Sequence, residues 1–160
     1  MHTVRTDCSL LSFLNRVRSQ RFSSGDSIVQ SLNSEIQHIG ISVADLDRSV
    51  AWYTSHLGFA ETKRFRKEDL EISGAVLQLG VMALEILAPF APAPAAPPAR
   101  TLVEQLRRIG MNHIAIGVED LPACHERLRA SGAFLMTPVV DGRFFFCTDP
   151  DGTVLEVRAR

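Results

Sequence analysis

The chain repeats itself. IQHIGISVADLD, from Ile36, returns as NHIAIGVEDLP, from Asn112. With His38 set on His113, Ile39 falls on Ile114, Ile41 on Ile116, Val43 on Val118, Asp45 on Asp120 and Leu46 on Leu121. Each copy runs into a segment of helical pattern, DLDRSVAWYTSHLGF or EDLPACHERLRASGAF, capped by Asp45 or Asp47 in the first and by Asp120 in the second. Strand-like runs follow: FAETKRF, ISGAVLQLG and VMALEILA, then GAFLMTPV, RFFFCTD and GTVLEVRA. Each half therefore reads βαβββ. The class is α+β, built from two modules that must pack together, since neither alone buries enough apolar surface. The first module covers 36–88 and the second 111–160. Between them, 89–110 holds the proline-rich spacer PFAPAPAAPPA and a short helix in RTLVEQLRRIG.

Residues 1–35 differ in character, being rich in Ser and Arg and poor in acids, with Leu10, Leu14 and Val17 spaced for one helical face. They read as an N-terminal extension without fixed structure, the alternative being an organellar transit peptide. The 160 residues carry a net charge of −1, so neither nucleic acid nor an anionic membrane is an expected partner. The longest apolar run is broken by Glu85 and then by prolines, too early to cross a bilayer. Cys8, Cys124 and Cys147 form no CxxC motif and are odd in number, which points to a reducing, cytoplasmic setting (an organelle matrix if the transit reading holds).

The repeat also places chemistry. Side chains alternate across a strand, so Ile39, Ile41 and Val43 share an apolar face, and His38, Gly40 and Ser42 the other. In the second copy Ile114, Ile116 and Val118 oppose His113, Ala115 and Gly117. The closing strands repeat this, with Leu84 and Ile86 against Glu85, and Leu155 and Val157 against Glu156. A carboxylate within an apolar strand is costly to bury unless it is paired or holds a metal. One such His or Glu alone is commonly a hydrogen-bonded or solvated residue; two of each at matching positions point to a site. If the sheets curl, His38, Glu85, His113 and Glu156 converge on a divalent cation such as Ni, Co, Zn, Mn or Fe, with positions left for substrate. His2, His56 and His125 lack this placement; the latter two read as surface or packing residues. Val76, Gln78, Leu87 and Phe145 are candidates for the cavity wall. Arg64 and Arg66 read as a solvated strand end.

HIGISVADLDRSVAWYTSHLGF, HIAIGVEDL and the closing FFFCTDPDGTVLEV resemble the vicinal oxygen chelate superfamily, the glyoxalase, bleomycin resistance and extradiol dioxygenase group. The likeness covers 36–160. It implies paired modules in a cupped mixed sheet around a metal held by His38, Glu85, His113 and Glu156, and a homodimer acting on a small molecule. Four protein ligands are similar to glyoxalase I and to methylmalonyl-CoA epimerase, which move a proton beside a carbonyl. Glyoxalase I carries an arginine and an asparagine that hold glutathione where this chain has Ser42 and Pro89. LEILAP and GMNHIAI are closer to the epimerase, so the first expectation is an isomerase, epimerase or lyase for a small thioester, and the second a lactoylglutathione lyase. Glu156 or Glu85 would double as proton carrier. Asp69, in KEDLEISG, falls near the epimerase's base position without completing its motif. Iron(II) ring-cleaving dioxygenases and fosfomycin-type thiol transferases resemble this chain but use three protein ligands, and antibiotic-binding members lack the ligands.

Overall fold

The computed structural model describes residues 35–160 apart from Ala95, so the readings placed on residues 1–34 lie outside the described residues. The order is β1 (His38–Ser42), α1 (Leu46–Leu57), β2 (Ala60–Lys67), β3 (Ile72–Leu79), β4 (Met82–Pro89), α2 (Leu102–Leu106), β5 (Ile114–Val118), α3 (Leu121–Ala130), β6 (Phe144–Thr148) and β7 (Val154–Ala159). This is an α+β fold with two sheets, ordered β1-β4-β3-β2 and β5-β7-β6. In each, the strand before the helix pairs in parallel with the last strand, and the remaining neighbours are antiparallel.

Local sequence explains the helices. Asp45 accepts the Arg48 N–H at 3.0 Å and Asp120 the Ala123 N–H at 2.9 Å, each filling the role of an N-cap. Gly58 ends α1 at φ 75°, the left-handed conformation that favours glycine. Val50, Tyr53 and Leu57 on α1, and Leu121, Cys124 and Leu128 on α3, recur at the spacing that puts them on one buried stripe. They meet the inner faces of both sheets, Ile41, Ala75, Leu77, Leu84 and Ile86 on one side and Ile116, Phe145, Cys147, Leu155 and Val157 on the other, in one continuous core. Leu77, Leu128 and Leu155 are fully buried, and each stabilises the fold by roughly 1.5–3 kcal/mol through removal from water.

One expected strand differs. GAFLMTPV lies against β6 but makes only one isolated bridge, at Leu135, with a second at Val140 just beyond it. The reason is a local irregularity. Met136 and Thr137 both donate their N–H to the Phe146 carbonyl, at 2.8 and 3.3 Å, while the Phe146 N–H is taken by the Thr137 hydroxyl at 3.0 Å. A side chain thus replaces a backbone partner, two residues face one across the pair as in a bulge, and Pro138 follows with no N–H to resume the ladder.

The DPDG turn ties the two halves. Asp149 is buried and satisfied: its carboxylate accepts the N–H groups of Asp151 and Thr153 at 3.0 and 2.8 Å and the Tyr53 hydroxyl at 3.0 Å. Asp151 reaches the start of α1, where it accepts from Arg48 Nη2 at 2.6 Å, Ser49 Oγ at 3.3 Å and the Ala44 N–H at 3.3 Å.

Candidate metal centre

The strand register fixes where the four candidate ligands stand. On the first sheet Glu85 lies opposite Gly40, and His38 opposite Ala83, so both side chains leave the face away from the core. His38 Nε2 is 3.7 Å from Glu85 Oε2, with His38 half exposed. On the second sheet Glu156 lies opposite Ala115, and His113 immediately precedes β5. His113 Nε2 is 3.2 Å from Glu156 Oε2, and this pair is more sheltered, 30% and 13% exposed. Arg158 faces the other Glu156 oxygen at 3.6 Å, and the Phe146 ring packs edge-on against the imidazole at 5.3 Å. The chain therefore brings the four residues together two and two. Among the described residues no three His, Cys, Asp or Glu side chains share one point in space.

The second pair is held by a hydrogen-bonded lock. Gln105, buried on α2, donates its side-chain amide to the Asn112 carbonyl at 2.5 Å, and Asn112 Nδ2 donates to the Gln105 carbonyl at 3.1 Å. Carbonyls only accept, so both amide orientations follow. Asn112 Oδ1 is then the atom 2.9 Å from His113 Nδ1, and the ring must donate from Nδ1. A neutral His113 so oriented presents a bare Nε2 lone pair to a carboxylate oxygen. Two acceptors at that separation need a proton or a cation between them. The donor set, imidazole nitrogen and carboxylate oxygen, suits a divalent transition metal, and the Asn112 contact is the kind of outer partner that orients a ligating histidine. A cavity of about 360 Å³, within the range of small-molecule sites, opens beside His113, lined also by Ser42, Gln105, Arg108 and Asn112; Glu156 does not line it.

Other candidates fall elsewhere. Asp69 is exposed in the turn between β2 and β3, beyond the end where Ile72 faces Pro89. Glu85 faces Val76 on the same ladder, so at about 3.3 Å per residue Asp69 is roughly 13 Å or more along the sheet from it. Val76, Gln78 and Leu87 do share the Glu85 face, half-buried. Phe145 does not line a cavity: it lies opposite Val157, fully buried in the core. Its neighbour Phe146, opposite Glu156, is the aromatic residue beside the site, an error of one residue in assigning strand parity. His56 packs on Trp52 at 5.7 Å, and burial, aided by Arg127, lowers its pKa; His125 packs on Phe145 at 4.8 Å.

Comparisons with known proteins agree with the fold. A profile of the Glyoxalase/Bleomycin resistance protein/Dioxygenase superfamily matches residues 35–157. A Vibrio cholerae protein named "Probable lactoylglutathione lyase" is 26% identical over 134 residues, 78% of this chain and 90% of that protein. YaeR of Escherichia coli, itself without an assigned activity, is 29% identical over 130 residues, 77% of this chain and 94% of YaeR. The fold matches the trypanothione-dependent glyoxalase I of Leishmania major with a TM-score of 0.67, over 79% of this chain and 87% of that one, at 24% identity. On the profile match, which spans both sheets, the chain belongs to the Glyoxalase/Bleomycin resistance protein/Dioxygenase superfamily.

Proposed function

We propose that the chain is a metal-dependent enzyme that moves a proton at the carbon next to a carbonyl in a small thioester or hemithioacetal. The observation that carries this is the duplicated pair, in which each histidine Nε2 addresses a glutamate Oε2. A bound divalent cation would supply Lewis acidity to the substrate carbonyl. His38, Glu85, His113 and Glu156 would hold it. Glu156 is the proton carrier of choice: its carboxylate is sheltered from water, and one of its two oxygens faces Arg158 while the other faces His113. Glu85, more exposed, is the second. Asp69 receives no step.

Because the two pairs lie on separate sheets of one chain, the reading further requires a homodimer in which the 36–88 half of one copy meets the 111–160 half of the other. Mixing His38→Ala with His113→Ala chains tests this. Heterodimers with shared sites regain one intact site of two, whereas sites confined to single chains stay dead in both. Of the substrates, the LEILAP segment favours the thioester, and the relative named lactoylglutathione lyase favours the hemithioacetal. Metal-loaded protein should exchange solvent deuterium into methylmalonyl-CoA, or convert the methylglyoxal–glutathione adduct. Turnover of neither, or turnover unchanged in Glu156→Gln, would end the reading.

A further inference from the structure

Strand β2 carries four cations, and alternation divides them between the faces of the first sheet. Arg64 and Arg66, on the helix side, are neutralised. Arg64 pairs with Asp47 on α1 and with Glu61 at 2.7 Å, and Arg66 pairs with Glu68 at 2.6 Å and lies over the Phe90 ring at 3.9 Å. Lys63 and Lys67 take the opposite face, and among the described residues neither has a carboxylate partner within ion-pair distance. They lean on the half-buried Phe65 between them, with Nζ atoms 6.0 and 5.6 Å from the ring centre.

The register shows what that face leads to. Lys63 is opposite Val76, Val76 opposite Glu85, and Glu85 opposite Gly40. Lys63 and Glu85 therefore stand in one row, on one face, two strand spacings or roughly 10 Å apart. The ground between them is apolar. The Phe65 ring lies across Gly74, so closely that a Cβ at Gly74 would come within 2.4 Å of its Cζ. Glycine at 74 is what lets the ring lie down on the sheet, in the row of Leu87, two residues along the strand from Glu85. This face thus has a carboxylate–imidazole pair at one margin, two ammonium groups without counter-ions at the other, and an uncharged floor between.

We infer that Lys63 and Lys67, set by Phe65, form a subsite for the anionic end of the substrate, a carboxylate or phosphate; Lys63 stands roughly 10 Å from Glu85 across the sheet, and Lys67, opposite Ile72, about 13 Å farther along the strand. The inference rests on the proton-transfer reading for the carbonyl end alone; the anion end is tested separately. Full-length protein is titrated in a calorimeter with coenzyme A, with glutathione and with inorganic phosphate, at two salt concentrations. Coenzyme A or glutathione should bind, and the Lys63→Gln/Lys67→Gln variant should bind about tenfold more weakly and with less salt dependence. Arg64→Gln/Arg66→Gln should stay within about twofold of wild type. Phosphate that displaces coenzyme A marks a phosphate as the anion, and glutathione binding without phosphate competition marks a carboxylate. Wild type that binds neither thiol, or a lysine variant that binds both as tightly as wild type, overturns the subsite. Lysine-dependent thiol binding that persists in a protein inactive towards both proposed substrates keeps the subsite and removes only the proton-transfer reading.

Discussion

Asn112 Oδ1 lies 2.9 Å from His113 Nδ1, and the reciprocal bonds between Asn112 and Gln105 leave that oxygen no other orientation. The linker helix thereby decides which ring nitrogen is free. Asn112→Ala should weaken metal affinity about 10- to 100-fold, as loss of an outer partner commonly does. Nitrogen-15 NMR of the metal-free protein gives an independent reading: neutral His113 should populate the Nδ1–H tautomer in wild type and a mixture of tautomers in the variant. An unchanged tautomer would show the lock to be idle.

Asp151→Ala should cost about 1–3 kcal/mol of stability, because it strips partners from Arg48, Ser49 Oγ and the Ala44 N–H together. Denaturant titration checks this through a lower midpoint at unchanged slope. Asp151→Asn, which keeps an acceptor and loses only the charge, should fall between the variant and wild type.

Tyr53 is the sole tyrosine, and burial beside Asp149 drives its pKa far above the ordinary 10.0. In the unfolded chain it ionises near that ordinary value. Above pH 10.0 the unfolded state therefore holds fewer protons than the folded one, so stability falls as pH rises. Asp149, raised by burial from 3.8, acts in the same direction at acid pH, its contribution falling as pH climbs through the raised value. Tyrosinate absorbance should appear only with alkaline unfolding, and Tyr53→Phe should remove this Tyr53-linked part of the alkaline slope while costing about 1.5–3 kcal/mol for the lost bond to the carboxylate. Tyrosinate formed in a still-folded protein would contradict the assignment.

Cys147 is buried with its thiol pushed up to about 12, and burial raises Cys124 as well. The thiolate is the reactive form, so both should resist a thiol-specific chromogen in native Cys8→Ser protein and react only on unfolding. Rapid labelling of either in the folded state would show the core to open readily.

The parts of this fold that the sequence makes legible are those governed by a short period. Alternation put His38 and Glu85 on one face and His113 and Glu156 on another, and acids at the head of each helix marked the caps, Asp120 on one and Asp45 or Asp47 on the other, where Asp45 is the residue that accepts the Arg48 N–H. What stayed hidden depends on partners distant in the chain. Thr137 intercepts the Phe146 N–H and spoils a ladder that composition alone favours. Gln105 reads as a polar residue of a short helix until its carbonyl meets Asn112. Arg64 and Arg66 drew attention as charges, yet both are paired; Lys63 and Lys67 on the same strand are the ones without partners among the described residues. Phe145 and Phe146 differ only in parity, which a run of three phenylalanines conceals.

The turn that carries Asp149 and Asp151 belongs to one half, and its bonds to Ala44, Arg48, Ser49 and Tyr53 reach into the other. Together with a core drawn from both sheets, it makes the peptide connection through 91–94 mechanically redundant. A protease nick there would yield two fragments that migrate as one particle, and the same fragments synthesised apart would find each other, as the products of a gene split at its own seam.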